Sequence, residues 1–146
     1  MAHRSIGYVP GDVSLWPSLT GEEILTLLGN LSGNVDTMLR AELIDRLNVD
    51  PSRRARTYSK GNRQKIALVA AFMTRPDILL LDEPTAGLDP LMEAEFQSLT
   101  REAAAGGQTV FLPRTCSTRW RMSARASRSS APGRSSRWRR STTCDG

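Results

Sequence analysis

Residues 78–90 read ILLLDEPTAGLDP. Four consecutive apolar residues bounded by charge form the pattern of a strand covered on both faces of a parallel sheet. In open α/β sheets ligands bind beyond the carboxyl ends of the strands, and this run delivers two adjacent carboxylates, Asp82 and Glu83, to that edge. Successive strand residues point to opposite faces, so the two acids suit different tasks. One reaches a Mg²⁺, directly or through water, while the other orients a water that attacks a phosphate. Taken alone, the pair reads equally as solvated acids at a strand end, and the neighbouring sequence has to decide.

Upstream, YSKGNRQKIAL at 58–68 sets Ser59 and Gly61 at the start of a helix expected from about Gly61 to Met73, with Ile66, Leu68, Val69 and Phe72 as its apolar positions. Free N–H groups and the helix dipole favour an anion such as phosphate there, although an ordinary serine N-cap fits the same residues. Downstream, Gly87 and Asp89 suit a turn before a helix that opens with Pro90 and runs from Leu91 to about Ala105. The strand TVFL, 109–112, follows. Towards the amino end, IGYVP at 6–10 reads as a strand end and GDVSLWPSLT at 11–20 as a loop. GEEILTLLGNL at 21–31 is a helix, with Ile24, Leu25, Leu27, Leu28 and Leu31 at helical spacing and Glu22 and Glu23 in its first turn. A second amphipathic helix is expected from Asp36 to about Leu47, with Met38, Leu39, Leu43, Ile44 and Leu47 on one face. The alternation indicates an α/β fold.

Charge divides the chain in two. The formal net charge is +5, yet residues 113–146 hold nine of the 20 Lys+Arg and one of the 15 Asp+Glu, leaving −3 on residues 1–112. The high isoelectric point is therefore no nucleic-acid signal for the main body. Both cysteines, Cys116 and Cys144, lie in that tail and the lone His3 near the amino end, so no metal-ligand cluster of Cys and His is formed. No apolar run approaches the ~18 residues that cross a bilayer, and a cytoplasmic location is the expectation.

Together these stretches resemble the ATP-binding-cassette (ABC) ATPases. YSKGN, 58–62, matches a divergent form of the family's LSGGQ signature, and RQKIALVAAFMTRPDILLLDEPTAGLDP, 63–90, follows the family pattern through the Walker B strand to the D-loop. IGYVPGDVSLWPSLTGEE, 6–23, is similar to the Q-loop region and the entry to the helical subdomain. The resemblance implies a P-loop NTPase fold of RecA-like parallel sheet with a helical subdomain. It divides the chain into 1–57 (Q-loop region and helical subdomain), 58–112 (signature helix, Walker B strand, D-loop, helix and strand) and a disordered tail, 113–146. It implies ATP and Mg²⁺ as cofactors, Asp82 as the Mg²⁺ ligand and Glu83 as the base that polarises the attacking water. Ser59, Gly61 and Asn62 would contact the γ-phosphate of an ATP bound to a second, head-to-tail subunit, and Asp89 would lie in the D-loop crossing that interface. The partners implied are this second nucleotide-binding subunit and a transmembrane permease, which the apolar helices between Trp16 and Leu47 would meet at the inner face of the membrane. The YVPGD and YSKGN variants point to export. A soluble cassette of DNA repair or translation is the alternative, and a neighbouring gene for a multi-helix membrane protein would discriminate.

Four departures qualify the resemblance. Gly11 and Asp12 stand where the family's Q-loop glutamine is usual, and Lys60 and Asn62 replace a Gly and a Gln of the signature. No G-x-x-x-x-G-K-[ST] occurs in the 146 residues, so the expectation is a fragment without independent ATP hydrolysis. After TVFL the family continues to a switch histidine and a VLDEVE-like helix, whereas this chain reads PRTCSTRWRM, 113–122. GC-rich codons for Arg114 to Met122, shifted by one frame, can spell His-Val-Leu-Asp-Glu-Val-Glu, and we read the tail as the same gene in a shifted frame. Its arginines, serines, Trp120 and Trp138 also suit non-specific nucleic-acid binding; no specific nucleic-acid partner is expected.

Overall fold

The structure, a computed structural model, describes residues 6–112. The tail expectations, for disorder and for a frameshift near Pro113, lie outside the described residues. Three strands, β1 (Ile6–Val9), β2 (Ile78–Leu81) and β3 (Thr109–Phe111), form a parallel sheet in the order β1-β2-β3. Ile6, Ile78 and Thr109 stand in one row, and Tyr8, Leu80 and Phe111 in another. The crossover from β1 to β2 contains α1 (Gly21–Ser32), α2 (Thr37–Arg46), a short 3₁₀ turn (Ala55–Thr57) and α3 (Lys60–Phe72). The crossover from β2 to β3 is α4 (Pro90–Ala105).

Local sequence sets each helix boundary. Thr20 caps α1 by accepting from the Glu23 N–H at 3.2 Å while Glu23 Oε2 accepts from the Thr20 N–H at 2.7 Å, a capping box. That bonding to Thr20 holds the Glu23 carboxyl below its usual pKa. Gly33, with φ of 73°, closes the helix. Asp36 caps α2 and Asp89 caps α4, each accepting from an N–H three residues on at 2.9 Å. Asp36 also pairs with Arg75 at 2.7 Å, fixing the start of α2 to the turn after α3.

One core runs through helices and sheet. Val9, Leu79, Leu81 and Val110, on one sheet face, join Leu68, Val69 and Phe72 of α3 and Phe96, Leu99 and Ala103 of α4 in a single buried cluster that extends to Ile24, Leu25, Leu43 and Leu47. Two sequence expectations need correction. Leu27, Leu31 and Met38, drawn into the apolar stripes of α1 and α2, are exposed, Met38 by 82%, because α3 receives only one edge of each helix. Among the described residues, strand β2 is covered by helices on one face rather than both. Leu79 and Leu81 are buried, whereas Ile78 and Leu80 are half-buried and their row-mates Ile6, Tyr8 and Phe111 are exposed, since α3 and α4 both pack on the other face.

Arg46 ties the α2 end of the helical layer to α4. Its guanidinium forks onto Glu102 through two 2.8 Å bonds and also binds Glu95 of α4 and Glu42 of its own helix. Bonding to Arg46 holds the Glu102 carboxyl below its usual value against the opposing effect of burial, with Ser98 assisting. Replacing Arg46 by Ala leaves three carboxylates facing one another, and unfolding in urea at pH 7 should show a loss of about 1–2 kcal/mol. Because Glu102 is depressed in the folded state, its contribution is present above the ordinary carboxylate value and is lost as pH falls through the folded value. The difference between wild type and Arg46→Ala should therefore shrink below about pH 4.5.

Candidate functional site

Three loops meet beyond the carboxyl ends of β1 and β2. The first is the turn after β1, Pro10 to Asp12. It follows the strand ladder, which the Asp82 N–H extends by donating to the Val9 carbonyl at 2.8 Å. A Cβ added to Gly11 would stand 3.3 Å from the Asp82 carbonyl and 3.4 Å from Glu83 Cβ, so this turn lies directly against the two acids. Asp82 is half-buried and Glu83 exposed. Glu83 has φ of 44°, in the left-handed region that costs a non-glycine residue about 1 kcal/mol. Its carbonyl accepts from the Ala86 N–H at 3.0 Å, which fastens it into the following turn.

The second loop is that turn, Glu83 to Asp89. Gly87, at φ of 81°, needs the conformational freedom of glycine. The Thr85 carbonyl accepts from the Leu88 N–H at 3.0 Å, and the chain enters α4 through the Asp89 cap with Pro90 at the first helical position.

The third loop is the amino end of α3. Ser59 caps it, with Oγ accepting from the Asn62 N–H at 3.2 Å. The hydroxyl keeps its own proton to donate, so capping and anion binding are compatible. Unlike α1 and α4, α3 has no acid in its first turn and carries Lys60 and Arg63 there. A Cβ on Gly61 would lie 2.6 Å from the Gly87 carbonyl, so the signature-like loop and the turn after β2 approach as closely as backbones can. The Lys60 stem lies over Gly87. Tyr58 anchors the loop from behind: it is buried and its hydroxyl donates to the Asp50 carbonyl at 2.5 Å. Burial, and then the charge of Asp50, pushes the Tyr58 phenol upward.

All six residues singled out from sequence thus occur at the same edge of the sheet, Ser59, Asp82, Glu83 and Asp89 on loops and Gly61 and Asn62 in the first turn of α3. Asp89 spends one carboxylate oxygen on its helix cap. No group of three or more His, Cys, Asp or Glu able to hold a metal by themselves exists among the described residues. Mg²⁺ takes one or two carboxylates and completes its shell with phosphate oxygens and water, so the single half-buried Asp82 beside Glu83 fits that ion when a phosphate is present. Sequence reading missed the proximity of Gly11 to the acids and the burial of Gln64, which lies in the charged run RQK yet is 1% exposed. The signal was its spacing: Gln64 stands four residues before Leu68 and eight before Phe72, on the buried face of α3.

A family model for the ABC transporter matches residues 1–86. The daunorubicin/doxorubicin resistance ATP-binding protein DrrA of Streptomyces peucetius is 38% identical over 114 residues, covering 75% of this chain and 34% of that protein. The arginine transport ATP-binding protein ArtP of Escherichia coli K12 is 39% identical over 109 residues, covering 69% of this chain and 44% of that protein. A solved ATP-binding subunit of an ABC transporter superposes with a TM-score of 0.68 at 30% identity, over 75% of this chain and 48% of that one. The chain spans about a third of the length of the resistance protein it matches.

The Gly61 contact gives a direct test of this geometry. Gly61→Ala forces the Gly87 carbonyl to move, and thermal unfolding should report a loss of at least about 1 kcal/mol. A crystal structure of the variant should show the 85–89 turn displaced from α3. A variant as stable as the wild type would mean that the two loops do not touch in solution.

Proposed function

The chain belongs to the ABC transporter family, and we propose that it is part of a nucleotide-binding domain that couples ATP to transport, working with a second nucleotide-binding subunit and a transmembrane permease. The observation that carries this reading is the close approach of Gly61 to Gly87, which presents the amino end of α3 and the turn ending at Asp89 as one surface. That surface offers the Ser59 hydroxyl, Asn62 and the free N–H groups of α3 to a phosphate. It suits an ATP held by the opposite subunit, with Ser59, Gly61 and Asn62 meeting the γ-phosphate and Asp89 crossing the interface.

Asp82 and Glu83 serve the other half of the chemistry. Asp82 would hold Mg²⁺, which supplies neutralisation of charge on the transferred phosphate. Glu83 would take a proton from the attacking water, and its strained backbone supports a functional constraint at that position. The exposed sheet face of Ile6, Tyr8 and Phe111 supports a domain that needs further covering, and in this reading the 146 residues alone do not hydrolyse ATP.

The exposed Trp16, Leu27, Leu31 and Met38 on the helical layer suit docking to a permease. No helix among the described residues is itself long and apolar enough to cross a membrane. We assign the chain to the cytoplasmic face of the cell membrane and favour export, following the YVPGD and YSKGN variants.

Titration calorimetry of the purified chain with Mg-ATP should give a Kd no tighter than about 1 mM. Mixed with an intact cassette subunit whose catalytic glutamate is replaced by glutamine, the chain should co-elute with it in Mg-ATP and not in Mg-ADP, and Ser59→Arg should abolish the complex. Micromolar ATP affinity and turnover by the chain alone, or indifference of association to the nucleotide, would overturn the reading.

A further inference from the structure

Gln64 sits five residues after Ser59 on α3, at 1% exposure, and uses only one of its two amide atoms. Nε2 donates to the Pro10 carbonyl at 3.4 Å. Oε1 is buried with no partner. An orphaned buried acceptor is destabilising, a cost that an apolar side chain of the same size would not carry. Packing alone therefore gives no reason for glutamine, and the bond to Pro10 does. Pro10 has no N–H of its own, so its carbonyl is the only backbone handle by which that residue can be held. The next residue, Gly11, is the one packed against the Asp82 carbonyl and Glu83 Cβ.

We propose that Gln64 is a positioning residue: it holds the Pro10–Asp12 turn against Asp82 and Glu83 and ties that turn to the helix whose amino end carries Ser59. A shift of the turn is thereby transmitted to the surface offered to the partner's nucleotide, and a shift of α3 to the two acids. The importance of this link rests on the proposed function; the link itself does not.

The test uses the whole chain with Gln64→Leu and Gln64→Glu, followed by urea unfolding and ¹⁵N backbone order parameters. Gln64→Leu removes both the tether and the orphaned acceptor. The gain from removing the orphaned acceptor opposes the cost of leaving the Pro10 carbonyl without its donor, so stability should change little while the order parameters of Gly11 and Asp12 fall from about 0.85 to below about 0.6. A residue that merely fills the core would move both in the same direction. Gln64→Glu restores a donor to Pro10 only while its carboxyl is protonated. The turn should be as ordered as in wild type at pH 5 and mobile at pH 8. Each measurement is compared with wild type at the same pH. Order parameters at Gly11 and Asp12 unchanged in Gln64→Leu, or a uniform loss of stability and order throughout the chain, would overturn the proposal. Failure of the wild-type chain to associate with an ATP-loaded cassette would count against the proposed function alone, since the order parameters decide the tether independently.

Discussion

The backbone of Gly61 lies against the backbone of Gly87 with no room for a side chain between them. This contact joins the amino end of α3 to the turn that leaves β2, two segments whose sequences separately suggest only a capped helix and a tight turn. Its consequences run both ways. Gly87 must adopt a left-handed conformation to present its carbonyl, and the residues from Glu83 to Asp89 are correspondingly fixed by short-range bonds. At the other side, Ser59 caps α3 at the same edge, so that a hydroxyl, free helix N–H groups and two basic side chains form one surface with the acidic strand end nearby. The surface is thus asymmetric in charge, basic on α3 and acidic at Asp82 and Glu83.

Much of this was legible in sequence because the signals were local. Thr20 with Glu23, Asp36, Ser59 and Asp89 with Pro90 each announce a helix start, and all four helices begin within a residue of the expected position. The apolar run 78–81 identified the central strand, and the order of elements identified a parallel sheet. What the sequence could not convey was which apolar residues find a partner. Leu27, Leu31 and Met38 lie at helical spacing yet are exposed, since periodicity describes a stripe and not the width of the surface that receives it. The same limit applies to β2, where an unbroken apolar run implied two covered faces although only one carries helices among the described residues. Gln64 was overlooked for the opposite reason, as a polar residue in a charged run whose burial follows from tertiary packing.

The departures from the family pattern also acquire physical content. Tyr58, at the first signature position, uses its hydroxyl to fasten the loop to the Asp50 carbonyl, a bond that an aliphatic residue cannot make. Lys60 is accommodated because its aliphatic stem crosses Gly87, which offers no side chain to obstruct it. Gly61, the signature glycine retained, is the one for which the structure leaves no alternative. Where the family usually has a glutamine after β1, Gly11 packs directly on the two acids and Asp12 faces solvent, so the contact with the strand end is made by backbone.

The central claim is that the edge formed by Ser59, Gly61 and Asp89 receives a nucleotide held by another subunit. A crystal structure of this chain bound to an intact, ATP-loaded cassette subunit tests it most directly. The account predicts the γ-phosphate within hydrogen-bonding distance of Ser59 Oγ and the first N–H groups of α3, with Asp89 at the interface. A complex in which that edge faces solvent, or in which the nucleotide meets this chain elsewhere, would contradict it.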